Sequence, residues 1–179
     1  AVRFDENDVR PMGRTARGVR GMNLGDGQEV IAMLVAPAEV TEGGQASVED
    51  PSAPSSVLTA TENGYGKRTP IAEYTRHGRG TKGMIAIQTS ERNGKVVAAA
   101  LVSPEDQIML ITTGGVLVRT RVSEIREMGR ATQGVTLINV DEGTHLSGLQ
   151  RIAESDSDDE GDDISENQSD TESEPSADT

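Results

Sequence analysis

The sequence predicts an all-β fold assembled from repeated modules, and three observations carry that expectation. Short runs rich in Val, Ile, Leu and Thr recur at 57–61, 83–89, 95–102, 107–112, 116–122, 134–140 and 146–152, with no helix-period segment of useful length between them. Two-residue turn signals such as Asn93-Gly94 and Gly114-Gly115 join several of these runs, which is hairpin chemistry. A fixed constellation of residues also returns three times, so the chain is built from a repeating unit.

The heart of the repeat is Gly-Arg-x-x-x-Gly: Gly13-Arg14 to Gly18, Gly78-Arg79 to Gly83, and Gly129-Arg130 to Gly134. Counting back from the second glycine, a base stands 15 positions earlier (Arg3, Arg68, Arg119) and an acid 10 earlier (Asp8, Glu73, Glu124). An apolar residue stands 9 earlier (Val9, Tyr74, Ile125). Each copy then runs into an apolar strand, a charged turn and a second apolar run, at 30–35, 96–102 and 146–152. The copies are 65 and then 51 residues apart, so a unit of about 50 residues carries one insertion. Four short strands at this period are the pattern of propeller-type blades.

Taken in order, residues 1–35 form a first module entered partway. Residues 36–56 hold Pro37, Pro51, Pro54 and Gly43-Gly44 and form a flexible surface insertion. Residues 57–104 are the second module and 105–153 the third. From Glu154 to Thr179 there are 12 acids, no base, and Ile164 as the one large apolar side chain. Such a segment cannot offset an ordering entropy of about 1–2 kcal/mol per residue by burial, so it is expected to be disordered.

Charge is unevenly divided. The chain has 17 Lys and Arg against 30 Asp and Glu, but residues 1–153 hold all 17 bases and 18 of the acids. The body is close to neutral and, without its insertion, mildly basic. Arginine beside the first glycine of every copy has two readings. Arg14, Arg79 and Arg130 can pair with the acids 10 positions before each second glycine and staple their own module. Alternatively, with Arg10, Arg17 and Arg20, with Lys67, Arg76 and Lys82, and with Arg121 and Arg126, they form a basic stripe from module to module. A charge returning once per blade lies along a curved rim, and such a rim suits the phosphates of a bent duplex. One Phe and two Tyr cannot supply the stacking platforms of single-strand binders.

Other function classes are excluded. There is no Cys for a disulfide framework or thiol nucleophile, no run of roughly 20 apolar residues for a membrane span, and no signal-peptide pattern at the start. Gly78-Arg79-Gly80-Thr81-Lys82-Gly83 matches a dinucleotide fingerprint, but no helix pattern follows it. Asp156 to Gly161 imitates an EF-hand start, yet its twelfth position is Asn167. His77 and His145 occupy unlike repeat positions, so neither a metal cluster nor a catalytic pair is expected. No metal site and no catalytic residue are predicted.

Four ungapped stretches closely resemble the last blades of the C-terminal domain of bacterial DNA gyrase A: 64–70, 78–83, 115–122 and 129–135. The resemblance implies a partial β-pinwheel, about three of six four-stranded blades, followed by an acidic tail. It implies that Arg3, Arg14, Arg17, Lys67, Arg68, Arg79, Lys82, Arg119, Arg121 and Arg130 hold a wrapped double-stranded DNA by phosphate contacts. It also implies a bacterial, cytoplasmic, nucleoid-associated setting and a type II topoisomerase that supercoils DNA negatively at the expense of ATP. The partners implied are the N-terminal part of the same polypeptide and gyrase B in an A2B2 assembly, with no membrane. The family's catalytic tyrosine and the basic box of its first blade have no counterpart here, so this piece alone is expected to be inactive. ATP and Mg2+ are expected to act through other domains. Two rival readings are the corresponding C-terminal domain of topoisomerase IV and a propeller scaffold that binds proteins through the 37–56 loop.

Overall fold

The computed structural model describes residues 1–36 and 55–152; the acidic tail and all but the ends of the expected insertion lie outside the described residues. Seven strands are present among them: β1 (Ser56–Thr61), β2 (Tyr65–Pro70), β3 (Val96–Val102), β4 (Gln107–Thr112), β5 (Leu117–Arg121), β6 (Val135–Thr136) and β7 (Leu146–Ile152). They form a four-stranded sheet in the order β3-β1-β2-β6 and a three-stranded sheet in the order β5-β4-β7, every pairing antiparallel.

β4 shows why these residues choose strands. Its sequence alternates, so Ile108, Leu110 and Thr112 turn inward while Gln107, Met109 and Ile111 stand half out. β1 is central and nearly all its residues are buried. Leu58, Ala60 and Val102 of the first sheet meet Ile108, Leu110 and Leu146 of the second, with Val122, Ile125 and Ile138, in one apolar cluster. A short 3-10 helix marks each repeat at Glu6–Asp8, Ile71–Glu73 and Val122–Glu124.

Four segments differ from the strands expected. β2 is not among the expected runs, because Tyr65-Gly66-Lys67-Arg68-Thr69-Pro70 has almost no apolar side chain; it is a strand because β1 and β6 flank it on both sides. Residues 83–89 form no strand, and the run 134–140 shortens to β6. The chain bends over the neighbouring module at once, where the Leu137 and Ile138 amides both donate to the Gly64 carbonyl at 2.8 and 3.2 Å. Residues 30–35 are likewise not a strand, and Val30, Ile31, Met33 and Val35 are exposed. Their counterpart β3 is held by β1, and the described residues give the first module no equivalent of β1.

Modules exchange strands. β6 belongs to the third repeat yet completes the sheet of the second through Tyr65↔Thr136 and Gly66↔Val135. The first and second repeats are joined the same way: the Ala1 amino group donates to the Met84 carbonyl at 2.7 Å, and the Met84 amide donates back to Ala1 at 2.8 Å. The second glycine of the repeat makes this close approach possible. Gly134 has φ of 83°, and a Cβ there would sit 2.6 Å from the Gly66 carbonyl oxygen. Gly134→Ala should therefore lose about 3 kcal/mol in denaturant unfolding, the left-handed backbone cost of 1–2 kcal/mol plus the displacement of β2. Gly115→Ala, at φ of 81° with open space around it, should lose only about 1 kcal/mol.

Candidate nucleic-acid interface

The recurring arginines make backbone contacts between modules. Arg3 Nη1 donates to the Ile71 and Tyr74 carbonyls at 3.1 Å each, around the next module's 3-10 helix. Arg68, in the same repeat column, sends Nε to the Ile125 carbonyl at 2.8 Å, and Ile125 is the repeat equivalent of Tyr74. The Gly-Arg column reaches in the opposite direction. Arg79 donates to the Asp8 carbonyl at 3.0 Å and to the Arg20 carbonyl at 3.2 Å. Arg130 Nη1 donates to the Ile85 carbonyl, equivalent to that of Arg20, at 2.9 Å. Its amide meets the Glu73 carboxylate at 2.9 Å. The acid involved lies in the preceding module, so the expected pairing of these arginines with carboxylates of their own modules is not what holds Arg79 and Arg130.

These bonds seat each Gly-Arg turn on the module before it. The Asn23 amide donates to Thr81 at 2.8 Å and the Gln88 amide to Thr132 at 2.9 Å, the same bond one repeat later. Residues 78–81 and 129–132 therefore dock in equivalent positions on successive neighbours. The run that matched a dinucleotide fingerprint is one of these turns, and its Gly80 amide is committed to the Gly21 carbonyl at 2.6 Å. It offers no phosphate cradle.

The structure sorts the expected DNA-facing bases into three groups. Arg14, Arg17, Arg79, Lys82, Arg119 and Arg121 are exposed. Arg119 and Arg121 share the solvent face of β5 with Leu117, and Arg119 bonds the Gln107 side chain. Arg3, Arg68 and Arg130 are half-buried in the joints just described. Lys67 must be removed from the outward-facing set: it is 0% exposed, and its ammonium donates to the Gly129 and Arg130 carbonyls and to Thr132 Oγ1. Burial, the dominant influence, lowers its pKa to about 8. Lys67 reads as one more basic residue in sequence because nothing local shows that the next module closes over it.

Neighbouring bases Arg10, Arg20, Arg76 and Arg126 are exposed, and Arg76 pairs with Asp5 at 2.9 Å. Both tyrosines are engaged within the fold. Tyr74 is buried, which raises the pKa of its phenol, and the Arg92 guanidinium lies 4.7 Å from the centroid of the Tyr65 ring. Sequence reasoning missed Asn93, read only as a turn residue. It is buried, and its Nδ2 donates to the Gln88 carbonyl at 2.9 Å and to the Gln133 carbonyl at 3.0 Å, tying the second module to the third.

Modules that lend a strand to one neighbour and arginines to both define a propeller-type array, a β-pinwheel, with exposed bases on successive blades. The chain belongs to the family described as DNA gyrase C-terminal domain, beta-propeller, whose match covers residues 1–37, 55–103 and 106–153. It is 51% identical over 152 residues to the DNA gyrase A protein of Neisseria gonorrhoeae, covering 85% of this chain and 16% of that protein. The corresponding protein of Escherichia coli (strain K12) is 50% identical over 153 residues, 86% of this chain and 16% of the relative. The chain thus spans about a sixth of the length of these relatives. A solved DNA gyrase A C-terminal domain superposes with TM-score 0.68 at 27% identity, over 84% of this chain and 46% of that one. The C-terminal domain of DNA topoisomerase IV shares the fold, with TM-score 0.70 at 21% identity, over 83% of this chain and 42% of the other.

Proposed function

We propose that this chain holds and wraps double-stranded DNA as the C-terminal part of a gyrase A protein, supporting negative supercoiling by the intact, ATP-dependent type II topoisomerase. One observation carries the reading: exposed bases stand on all three modules, beside the Gly-Arg turn in the first and second and on the solvent face of β5 in the third. Arg14 and Arg17 in the first module, Arg79 and Lys82 in the second, and Arg119 and Arg121 in the third are the phosphate contacts. Arg3, Arg68 and Arg130 act chiefly by fixing the blades that carry them, and Arg79, exposed but bonded to the Asp8 and Arg20 carbonyls, serves both ends. Bending a site of 20–30 bp costs on the order of 1–6 kcal/mol, which an array of contacts must offset.

The other parts of the enzyme follow from the same reading. Strand cleavage, ATP and Mg2+ belong to the rest of the gyrase A polypeptide and to gyrase B in an A2B2 assembly, in the bacterial cytoplasm at the nucleoid. Relatives about 50% identical to this chain are gyrase proteins, which favours gyrase over topoisomerase IV.

The test is a fluorescence-anisotropy titration of linear duplex across a salt series. Six phosphate contacts predict that log K falls with log salt at a slope of about −5, evenly across DNA sequences. Single strands should bind more weakly, since both tyrosines are engaged. Near-absence of duplex binding would identify a protein-binding scaffold instead.

A further inference from the structure

The joint between the second and third modules holds a pair of side chains that the repeat does not call for. Tyr65 opens β2 and Arg92 lies in the turn that precedes β3, and the Arg92 guanidinium sits 4.7 Å from the centroid of the Tyr65 ring. In the third module the same two columns, 18 before and 9 after the second glycine, hold Val116 and Gly143. That module builds its strands without either side chain, so a stacked cation is not a requirement of the blade.

The surroundings of the pair are polar and open. Thr136 of β6, from the third module, lies directly across from Tyr65, so the two side chains leave the sheet on one face. Arg92 and Thr136 are exposed and Tyr65 is half-buried. The loop bearing Arg92 is fixed: Asn63 Nδ2 donates to the Glu91 and Arg92 carbonyls at 3.2 Å each, and the next residue, Asn93, is the buried tie to Gln133. No carboxylate neutralises the guanidinium. Among the described residues no acid pairs with Arg92, and Glu62, on the facing turn, gives its carboxylate to the Lys95 amide at 2.8 Å. Arg92 donates instead to the Tyr65 hydroxyl, which together with a bond to Thr136 holds the phenol below its ordinary pKa. A phenol oxygen that accepts from a guanidinium makes its own O–H a stronger donor.

We propose that Arg92, the Tyr65 hydroxyl and the Thr136 hydroxyl form a phosphodiester-binding site at this joint, a contact of the wrapped duplex outside the repeating columns. The site rests on the DNA-wrapping reading and adds to it. Its chemistry suits that ligand: a delocalised cation brings charge and more N–H donors than the phenol can use, and hydroxyls on two neighbouring strands bring neutral donors. Stacking on the ring holds the guanidinium in place before the duplex arrives, so less freedom is lost on binding. Thr136 also continues the segment of the docked Gly-Arg turn, two residues past Gly134, and its column carries the exposed Arg20 in the first module.

The test measures duplex affinity by fluorescence anisotropy across a salt series for variants of the whole chain. A seventh charged contact steepens the expected slope from about −5 to about −6. Arg92→Gln should flatten it by about 0.9 and weaken binding about 8-fold near 0.1 M salt, and Arg92→Lys, which keeps the charge, should restore most of the slope. Tyr65→Phe keeps the ring under Arg92 and Thr136→Val keeps the shape. Each should weaken binding about 5-fold with the slope unchanged, because a donor is lost and no charge is. In the Arg92→Gln background Tyr65→Phe should cost much less, since both groups act on one phosphate. Circular dichroism should match wild type throughout. A wild-type slope in Arg92→Gln, or wild-type affinity in Tyr65→Phe and Thr136→Val, overturns this site and leaves the rest of the array standing. A wild type that binds no duplex at any salt overturns the site and the wrapping reading together.

Discussion

Replacing Lys67 by methionine should destabilise the fold by about 3 kcal/mol while leaving the salt slope of DNA binding unchanged. The stability loss has a specific origin. The Lys67 ammonium satisfies the Arg130 carbonyl and shares the Gly129 carbonyl and Thr132 hydroxyl, all in the Gly-Arg turn of the next module. Thr132 can still bond Gly129 through its own hydroxyl at 2.8 Å, so the Arg130 carbonyl is the acceptor that loses most. Leaving a buried acceptor unpaired costs about 1–3 kcal/mol, and the turn's seat on β2 loosens with it. The pH dependence is a second signature. With a pKa of about 8 when folded and 10.5 ordinarily, Lys67 gives up its proton earlier in the folded chain. Between those values the unfolded chain holds more protons, so this group favours folding more strongly as pH rises. The cost of Lys67→Met should accordingly grow from pH 8 to 10.5 in denaturant titrations. A constant cost across that range, or a salt slope reduced by one phosphate, would return Lys67 to the surface.

Much of the fold was legible because the repeat fixes columns. The period, the all-β class and most strand positions follow from the spacing of Gly, Arg and β-branched residues. β2 was hidden because its burial comes from the third repeat: Tyr65 to Pro70 looks like a polar turn until β6 pairs with it. The columns of Arg3 and Arg79 were conspicuous in the sequence, but their meaning was not. Each guanidinium bonds main-chain carbonyls, which have no sequence signature, and the acceptors lie about 60–70 residues away. Lys67 and Lys82 differ in the same way. Both stand near the repeat motif, yet one is enclosed by the following module and the other is exposed.

That contrast yields the second large effect. Arg17 and Lys82 occupy the position just before the second glycine in the first and second modules, and both are exposed. The third module carries Gln133 there, so glutamine is compatible with the turn in this very fold. The double variant Arg17→Gln with Lys82→Gln should therefore keep its unfolding midpoint within experimental error while losing two phosphate contacts. Each contact contributes a slope of about 0.9, so the salt dependence should flatten by about 1.8 and affinity near 0.1 M salt should fall about 50-fold. The loss should be the same for any duplex sequence, because phosphates carry no base information. A fall in affinity with an unchanged slope would mean that the two residues shape the turns rather than meet the backbone. An effect confined to particular sequences would mean that they read base edges in a groove. Placed beside Lys67→Met, which lowers stability and spares the slope, the pair separates the bases that build the array from those that use it.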